Sequence, residues 1–130
     1  MILDTAFIID LMDGDDDAIR AYEEYEDARE QQYLASITVL ELHEGIERSI
    51  HSDAERRNVR GVIDTKPVIP ADRVVMKKAG TVSGRLITDG NEIDREDCVV
   101  AATALIEEEP VVTRNVAHFE RIPGVEVRSY

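Results

Sequence analysis

The chain has 130 residues, 43% of them hydrophobic, which is enough apolar material for a single domain over residues 1–130 and excludes a disordered composition. Acids outnumber bases 28 to 15 for a net charge of −13, and only Lys66, Lys77 and Lys78 among the bases are lysines. No apolar run approaches the roughly 20 residues of a membrane span, no secretory leader is visible, and Cys98 has no second cysteine to pair with, so the expectation is a cytoplasmic protein without membrane attachment.

The acidic, lysine-poor balance reads as halophilic, because a Debye length of about 3 Å at 1 M salt screens the self-repulsion. An acidic face for a basic partner is the competing reading.

Met1 to Leu3 is a short apolar lead, predicted as a buried strand. Asp4 stands at its exit, before the apolar run Ala6 to Ile9. An Asp so placed reads equally as the N-cap of a helix starting near Ala6. Asp15 to Glu30 has helical composition, with acids early and Arg29 late, the order the helix dipole prefers. Asp13, Asp15, Asp17 and Glu24 fall at calcium-loop positions, but Ala18 stands where the sharp-turn glycine is needed. The run is therefore read as a solvated helix start.

Tyr33 to Ala35 is the second predicted strand. Thr38 to Arg48 reads as a helix with Val39, Leu42 and Ile46 on one face. Asp53 to Ile63 is another helix and Pro67 to Ile69 a short strand. Asp72 to Thr88 is helical, with Gly90 as its stop. Asp94 opens the strongest helix signal, and Asp97 three residues on makes an acidic variant of the capping box. The uncharged run Cys98 to Ile106 is predicted as a buried helix, with Cys98 a small core residue. Val111 to Thr113 and Val125 to Val127 are the last strands. The alternation predicts an α/β domain whose short, mostly parallel sheet is covered by helices, with ligands beyond the carboxyl ends of the strands.

Three acids stand in otherwise apolar surroundings: Asp4, Glu41 within Ile37 to Leu42, and Asp97 ahead of the uncharged helix. Asn115 follows the Val111 to Thr113 strand. Crowded carboxylates must be neutralised by protons or by a cation. Hard oxygen ligands select Mg²⁺ or Mn²⁺, and such an ion activates water and offsets charge on a phosphoryl group. Each residue also has a plain structural reading. Asp4 can cap, Glu41 can be a solvated helix residue, Asp97 can be the partner of Asp94, and Asn115 can belong to a turn. Spacing alone leaves open whether the four meet. His43, His51 and His118 share no zinc-ligand spacing, and no Ser/His/Asp motif, phosphate loop or dinucleotide fingerprint is present.

Taken in order, the motifs resemble those of a known family. Met1-Ile2-Leu3-Asp4-Thr5-Ala6-Phe7-Ile8-Ile9-Asp10 resembles the first strand and acid of the PIN-domain nucleases. Ser36-Ile37-Thr38-Val39-Leu40-Glu41-Leu42 with Gly45 resembles the second acidic motif, and Asp97-Cys98-Val99-Val100-Ala101-Ala102-Thr103-Ala104-Leu105 the third. Val112-Thr113-Arg114-Asn115 with His118-Phe119 resembles the closing motif. The likeness covers almost the whole chain and is strongest to the VapC-type toxins of toxin–antitoxin pairs.

The resemblance implies a three-layer PIN-like fold and a metal-dependent endoribonuclease acting as the toxin of such a pair. It implies Asp4 and Asp97 as the main metal ligands, with Mg²⁺ or Mn²⁺ as the ion. Glu41 would complete the acidic pocket and position the metal-bound water that attacks an RNA phosphodiester. Thr113 and Asn115 would shape the pocket, and Thr5 would do the same beside Asp4. Some relatives carry Asp where Asn115 stands; Asn keeps an acceptor oxygen but no charge, which points to a single-metal site. A homodimer and a small antitoxin that blocks the pocket with a basic side chain are implied too. An arginine fork can satisfy two acids at once.

Asp94 is read first as the helix cap and second as a member of the acidic cluster. Arg114 and His118 are candidates for RNA phosphate contacts, whereas Arg121 reads as an ordinary surface charge. A housekeeping RNA-processing nuclease and a catalytically silent interaction domain are the alternatives on the same fold.

Overall fold

The structure is a computed structural model that describes residues 1–48 and 52–130. His51 lies outside the described residues. In chain order the elements are β1 (Ile2–Leu3), α1 (Thr5–Met12), α2 (Asp16–Asp27), β2 (Leu34–Ala35), α3 (Ser36–Arg48), α4 (Asp53–Thr65), β3 (Val68–Ile69), α5 (Arg73–Thr88), α6 (Arg95–Glu107), β4 (Val111–Val112), α7 (Val116–Glu120) and β5 (Val127–Arg128).

The three central strands, β1, β2 and β4, are buried on both faces, while the edge strands β3 and β5 are not. Ile2, Leu3, Leu34, Ala35, Val111 and Val112 are all fully buried, as expected for a parallel sheet covered by helices. β1 pairs with β4 and β4 with β5, both parallel. β2 pairs with β3, also parallel. A parallel bridge from Ile2 to Tyr33 joins the two pieces into the order β3-β2-β1-β4-β5. β1 therefore sits centrally, where the order reverses direction. Such a switch point opens a crevice at the carboxyl ends of the strands.

Alternation along each strand sorts side chains into two layers. Ile2 and Val111 face a cluster that includes Val82, Leu86, Val100, Ala101 and Phe119, from α5, α6 and α7. Leu3 and Val112 face Phe7, Ile8, Ala18, Leu42 and Ile46, from α1, α2 and α3. α6 is buried at every position from Cys98 to Ala104, which explains the lack of charge in that run. α5 buries only the stripe Val75, Ala79, Val82 and Leu86, while its other faces mix polar residues with the exposed Val74, Met76 and Ile87. Its end is a Schellman turn. Gly90 takes φ +73°, while the amides of Gly90 and Asn91 bond the carbonyls of Ile87 and Leu86.

The first apolar run after Asp4 is a helix, α1, beginning at Thr5 with Asp4 as its N-cap, as the capping reading of Asp4 expects. Two expectations need adjusting. α2 ends at Asp27 rather than Glu30, because Arg29 takes a left-handed φ of 54° in a second Schellman turn. The last strand falls at Val127 and Arg128 instead of Val125 to Val127. The Pro123-Gly124 turn, with Gly124 at φ +88° and the Val125 amide bonded to the Ile122 carbonyl, consumes Val125.

Candidate active site

Asp4 leaves the carboxyl end of β1, and Thr113 leaves the carboxyl end of the neighbouring β4. This juxtaposition is the base of the site. The Thr5 amide donates to Asp4 Oδ1 at 2.9 Å, and the Thr113 hydroxyl donates to Asp4 Oδ2 at 2.7 Å. The Thr113 oxygen in turn accepts the Asn115 amide at 2.9 Å. Asp4 thus caps α1, and both of its oxygens are held by hydrogen bonds where β1 and β4 end. It is 2% exposed. Burial is the main force on its carboxyl and pushes its pKa up to about 6, with the Asp97 charge adding to the rise while Thr113 and Arg114 oppose it.

Glu41 arrives from the second turn of α3, which starts directly after β2. The Thr5 hydroxyl donates to Glu41 Oε1 at 2.8 Å and shares a 3.2 Å hydrogen bond with the Thr38 hydroxyl. Thr38 is completely buried and stands one helical turn before Leu42, so the Thr38, Leu42 and Ile46 row carries the packing of α3. Val39 is only partly buried against it. Burial raises the Glu41 carboxyl, and the charges of Asp4, Asp97 and Glu96 raise it further.

Asp97 comes from the first turn of α6. The expected capping box does not form. Asp94 occupies the N-cap position by backbone but makes no side-chain cap bond. Asp97 Oδ2 lies 3.0 Å from His118 Nδ1 on α7 instead. Burial again raises its carboxyl, His118 lowers it, and Asp94 and Glu96 add repulsion. Asp94 is therefore an exposed member of the acidic surroundings rather than a side-chain cap.

The structure thus brings Asp4, Glu41 and Asp97 within electrostatic reach of one another, with Thr5 and Thr113 as their hydrogen-bond supports. Asn115 sits half-buried beside Thr113, and its amide makes no cap bond to α7. Arg114 pairs with Asp10 on α1, and His118 is taken by Asp97. Arg121 reaches the carbonyls of Asn91 and Glu92 and fastens the loop between α5 and α6, a structural task. Thr38, Glu96 and Asp10 are additions that sequence reasoning missed. Only Thr38 carried a signal, as a polar residue in register with Leu42 and Ile46. An open groove on α3 is lined by Glu41, Glu44, Gly45 and Arg48.

The donor set is all oxygen, and its carboxyls resist ionisation chiefly because they are buried and secondarily because of neighbouring acids. That is the environment a hard divalent cation relieves. Among the described residues, no three His, Cys, Asp or Glu side chains close into a tight metal cage. The arrangement still fits Mg²⁺, which keeps several waters and uses one or two carboxylates directly.

Asp4, Glu41 and Asp97 thus form an acidic cluster at the carboxyl edge of a short parallel sheet. The PIN-domain family model matches residues 1–125, and the chain belongs to that family. It is 30% identical over 97 residues to the tRNA(fMet)-specific endonuclease VapC of Salmonella typhimurium, covering 75% of this chain and 74% of that one. Ribonuclease VapC10 of Mycobacterium tuberculosis is 36% identical over 66 residues, 51% of this chain and 50% of the relative. DNA-bound VapBC from Salmonella typhimurium superposes with TM-score 0.88 at 28% identity over 98% of this chain and 96% of that one. VapBC2 from Rickettsia felis, bound to a promoter DNA fragment, shares the fold with TM-score 0.87 at 21% identity over 99% of this chain and 97% of that one. No helix among the described residues is long and apolar enough to cross a membrane.

Proposed function

We propose that the chain is an endoribonuclease of the VapC toxin type, with Asp4 and Asp97 as the residues that hold a divalent cation and Glu41 as the supporting acid. One observation carries the reading: in a PIN-family chain, three carboxyls, at the exit of β1 and on α3 and α6, are made harder to ionise by burial, with the Asp97 charge reaching Asp4 and the charges of both reaching Glu41. When bound, Mg²⁺ or Mn²⁺ would supply water activation and charge neutralisation.

The chain's own residues do the positioning. Thr113 and the Thr5 amide fix both oxygens of Asp4, so its carboxylate cannot rotate away. Thr5 locks one Glu41 oxygen and leaves the other for a water or for the cation's outer shell. Asn115 supplies polarity without charge, which favours one metal over two. Arg114 and His118 stand at the rim as contacts for RNA phosphates. The Salmonella relative's name makes initiator tRNA the first substrate to test.

The VapBC neighbours support an antitoxin partner of small size. A basic side chain of that partner entering the crevice would neutralise the same carboxylates. A homodimer and a cytoplasmic place of action belong to the same reading. So does a halophilic surface, for which the expected result is a thermal midpoint that rises as KCl increases from 0.15 M to about 2 M.

The test is RNA cleavage by the purified chain, with Mn²⁺ or Mg²⁺ and in high salt, compared with Asp4→Asn and with chelator. Cleavage that needs the ion and is lost in the variant is the expected outcome. Equal cleavage by wild type and variant would remove the assigned site.

A further inference from the structure

Asp10 lies on α1, two turns beyond Asp4, and its side chain is only 14% exposed. One of its oxygens takes the guanidinium of Arg114. The other accepts the Tyr130 hydroxyl at 2.6 Å. The Tyr130 ring is held in turn by an edge-on contact with Phe7, ring centres 4.9 Å apart, and Phe7 is fully buried. Both oxygens of Asp10 are thus committed, and the clamp is anchored in the core rather than in solvent.

Arg114 itself is different. Its side chain is 53% exposed, and of the five N–H donors of its fork, Asp10 engages a single terminal nitrogen, Nη1. It follows Thr113 directly, so its backbone is fixed to the residue that holds Asp4. Its charge also reaches Asp4. The guanidinium therefore stands beside the carboxylate pocket with donors to spare. A polyanionic strand approaching three carboxylates needs a cation at that point, and a planar fork suits a phosphate.

We propose that Asp10, with Tyr130, is a positioning residue that holds Arg114 at the pocket rim as the contact for an RNA backbone phosphate next to the cleaved bond. This rests on the endoribonuclease reading. A surface ion pair with no such task would be worth little to the fold. Here the pair is tied through the half-buried Tyr130 to the buried Phe7 ring and set between α1 and the end of β4.

The experiment measures kcat and KM on a total tRNA pool and on a random-sequence single-stranded RNA pool, with the salt dependence of KM, for wild type, Arg114→Ala, Arg114→Lys, Asp10→Asn, Tyr130→Phe and the Asp10→Asn/Arg114→Ala double variant. Arg114→Ala is expected to raise KM about 10-fold, the worth of one charge-assisted hydrogen bond. It should also flatten the log–log salt slope by about 0.7, the loss of one single-strand phosphate contact. Arg114→Lys keeps most of that slope. Asp10→Asn raises KM by a smaller factor with kcat held, and adds nothing to Arg114→Ala, because Asp10 acts only through Arg114. Tyr130→Phe keeps the ring on Phe7, and therefore the fold, and shifts KM in the direction of Asp10→Asn.

Additive effects of Asp10→Asn and Arg114→Ala would overturn the positioning role. An unchanged KM and salt slope in Arg114→Ala, with only Mn²⁺ affinity altered, would assign Arg114 to charge balance at Asp4 and overturn the phosphate contact. Wild type that cleaves neither pool with either ion would instead remove the ribonuclease reading, and this one with it.

Discussion

Asp4→Asn separates the catalytic worth of a buried carboxylate from its cost to the fold. Burial raises the Asp4 carboxyl from 3.8 to about 6, and the hydrogen bonds from Thr113 and Thr5 are already inside that balance because they pull it down. A carboxyl whose folded pKa is raised costs nothing below the unfolded value. Its cost grows as pH climbs between the two values and is complete above about 6. At about 1.4 kcal/mol per pH unit, the full cost is about 3 kcal/mol. Asn imitates the protonated carboxyl apart from one realigned bond to the Thr113 hydroxyl, worth about 1 kcal/mol.

The expected result is a metal-free variant about 2 kcal/mol more stable than wild type at pH 8, with the advantage fading towards pH 4. Urea denaturation in EDTA at pH 4, 6 and 8 measures it, and the difference between the two proteins isolates Asp4 from every other titrating group. The same variant should lose RNA cleavage by more than the roughly 10–100-fold typical of an outer-shell partner. A variant less stable than wild type at pH 8, or a difference that ignores pH, would refute the placement of Asp4 as a desolvated, uncompensated charge.

Thr113→Val deletes the hydroxyl that donates to Asp4 and accepts from Asn115, so the Asp4 carboxyl should rise further and Mn²⁺ affinity, read by titration calorimetry, should fall about 10–100-fold. Phe119→Ala opens a cavity in the layer formed by Ile2, Val100 and Val111 and is expected to cost about 3–5 kcal/mol in chemical denaturation. Gly90→Ala meets open space for its new methyl but keeps a φ of +73°. The loss should therefore be backbone strain alone, about 1–2 kcal/mol, seen as a lowered thermal midpoint without loss of cleavage.

Much of the fold was legible along the chain. The uncharged run Cys98 to Ile106 declared a buried helix, which the structure buries from Cys98 to Ala104, and Val111-Val112 declared a strand, which it buries on both faces, because hydrophobic periodicity reports burial directly. Gly90 announced the end of α5 through its backbone freedom. The order of the acid-bearing motifs pointed to the family and named Asp4, Glu41 and Asp97. The N-terminal turn of α6 was less legible. Asp94 and Asp97 have capping-box spacing, yet His118, twenty-one residues further on, draws the Asp97 carboxylate away. Local spacing has no view of a partner from another helix.

The meeting of the site residues was a matter for the tertiary structure alone. Only the parallel pairing of β1 with β4 sets Asp4 beside Thr113 across a separation of 109 residues. Thr38 and Asp10 gain their roles in the same way, through a hydroxyl shared with Thr5 and through Arg114 and Tyr130 from the far end of the chain. The sequence by itself determined which residues carry charge and which elements they ride on, since propensity and periodicity are properties of neighbours along the chain. The fold decided which charges are desolvated and which are paired, because burial and partnership depend on segments distant in sequence packing against one another.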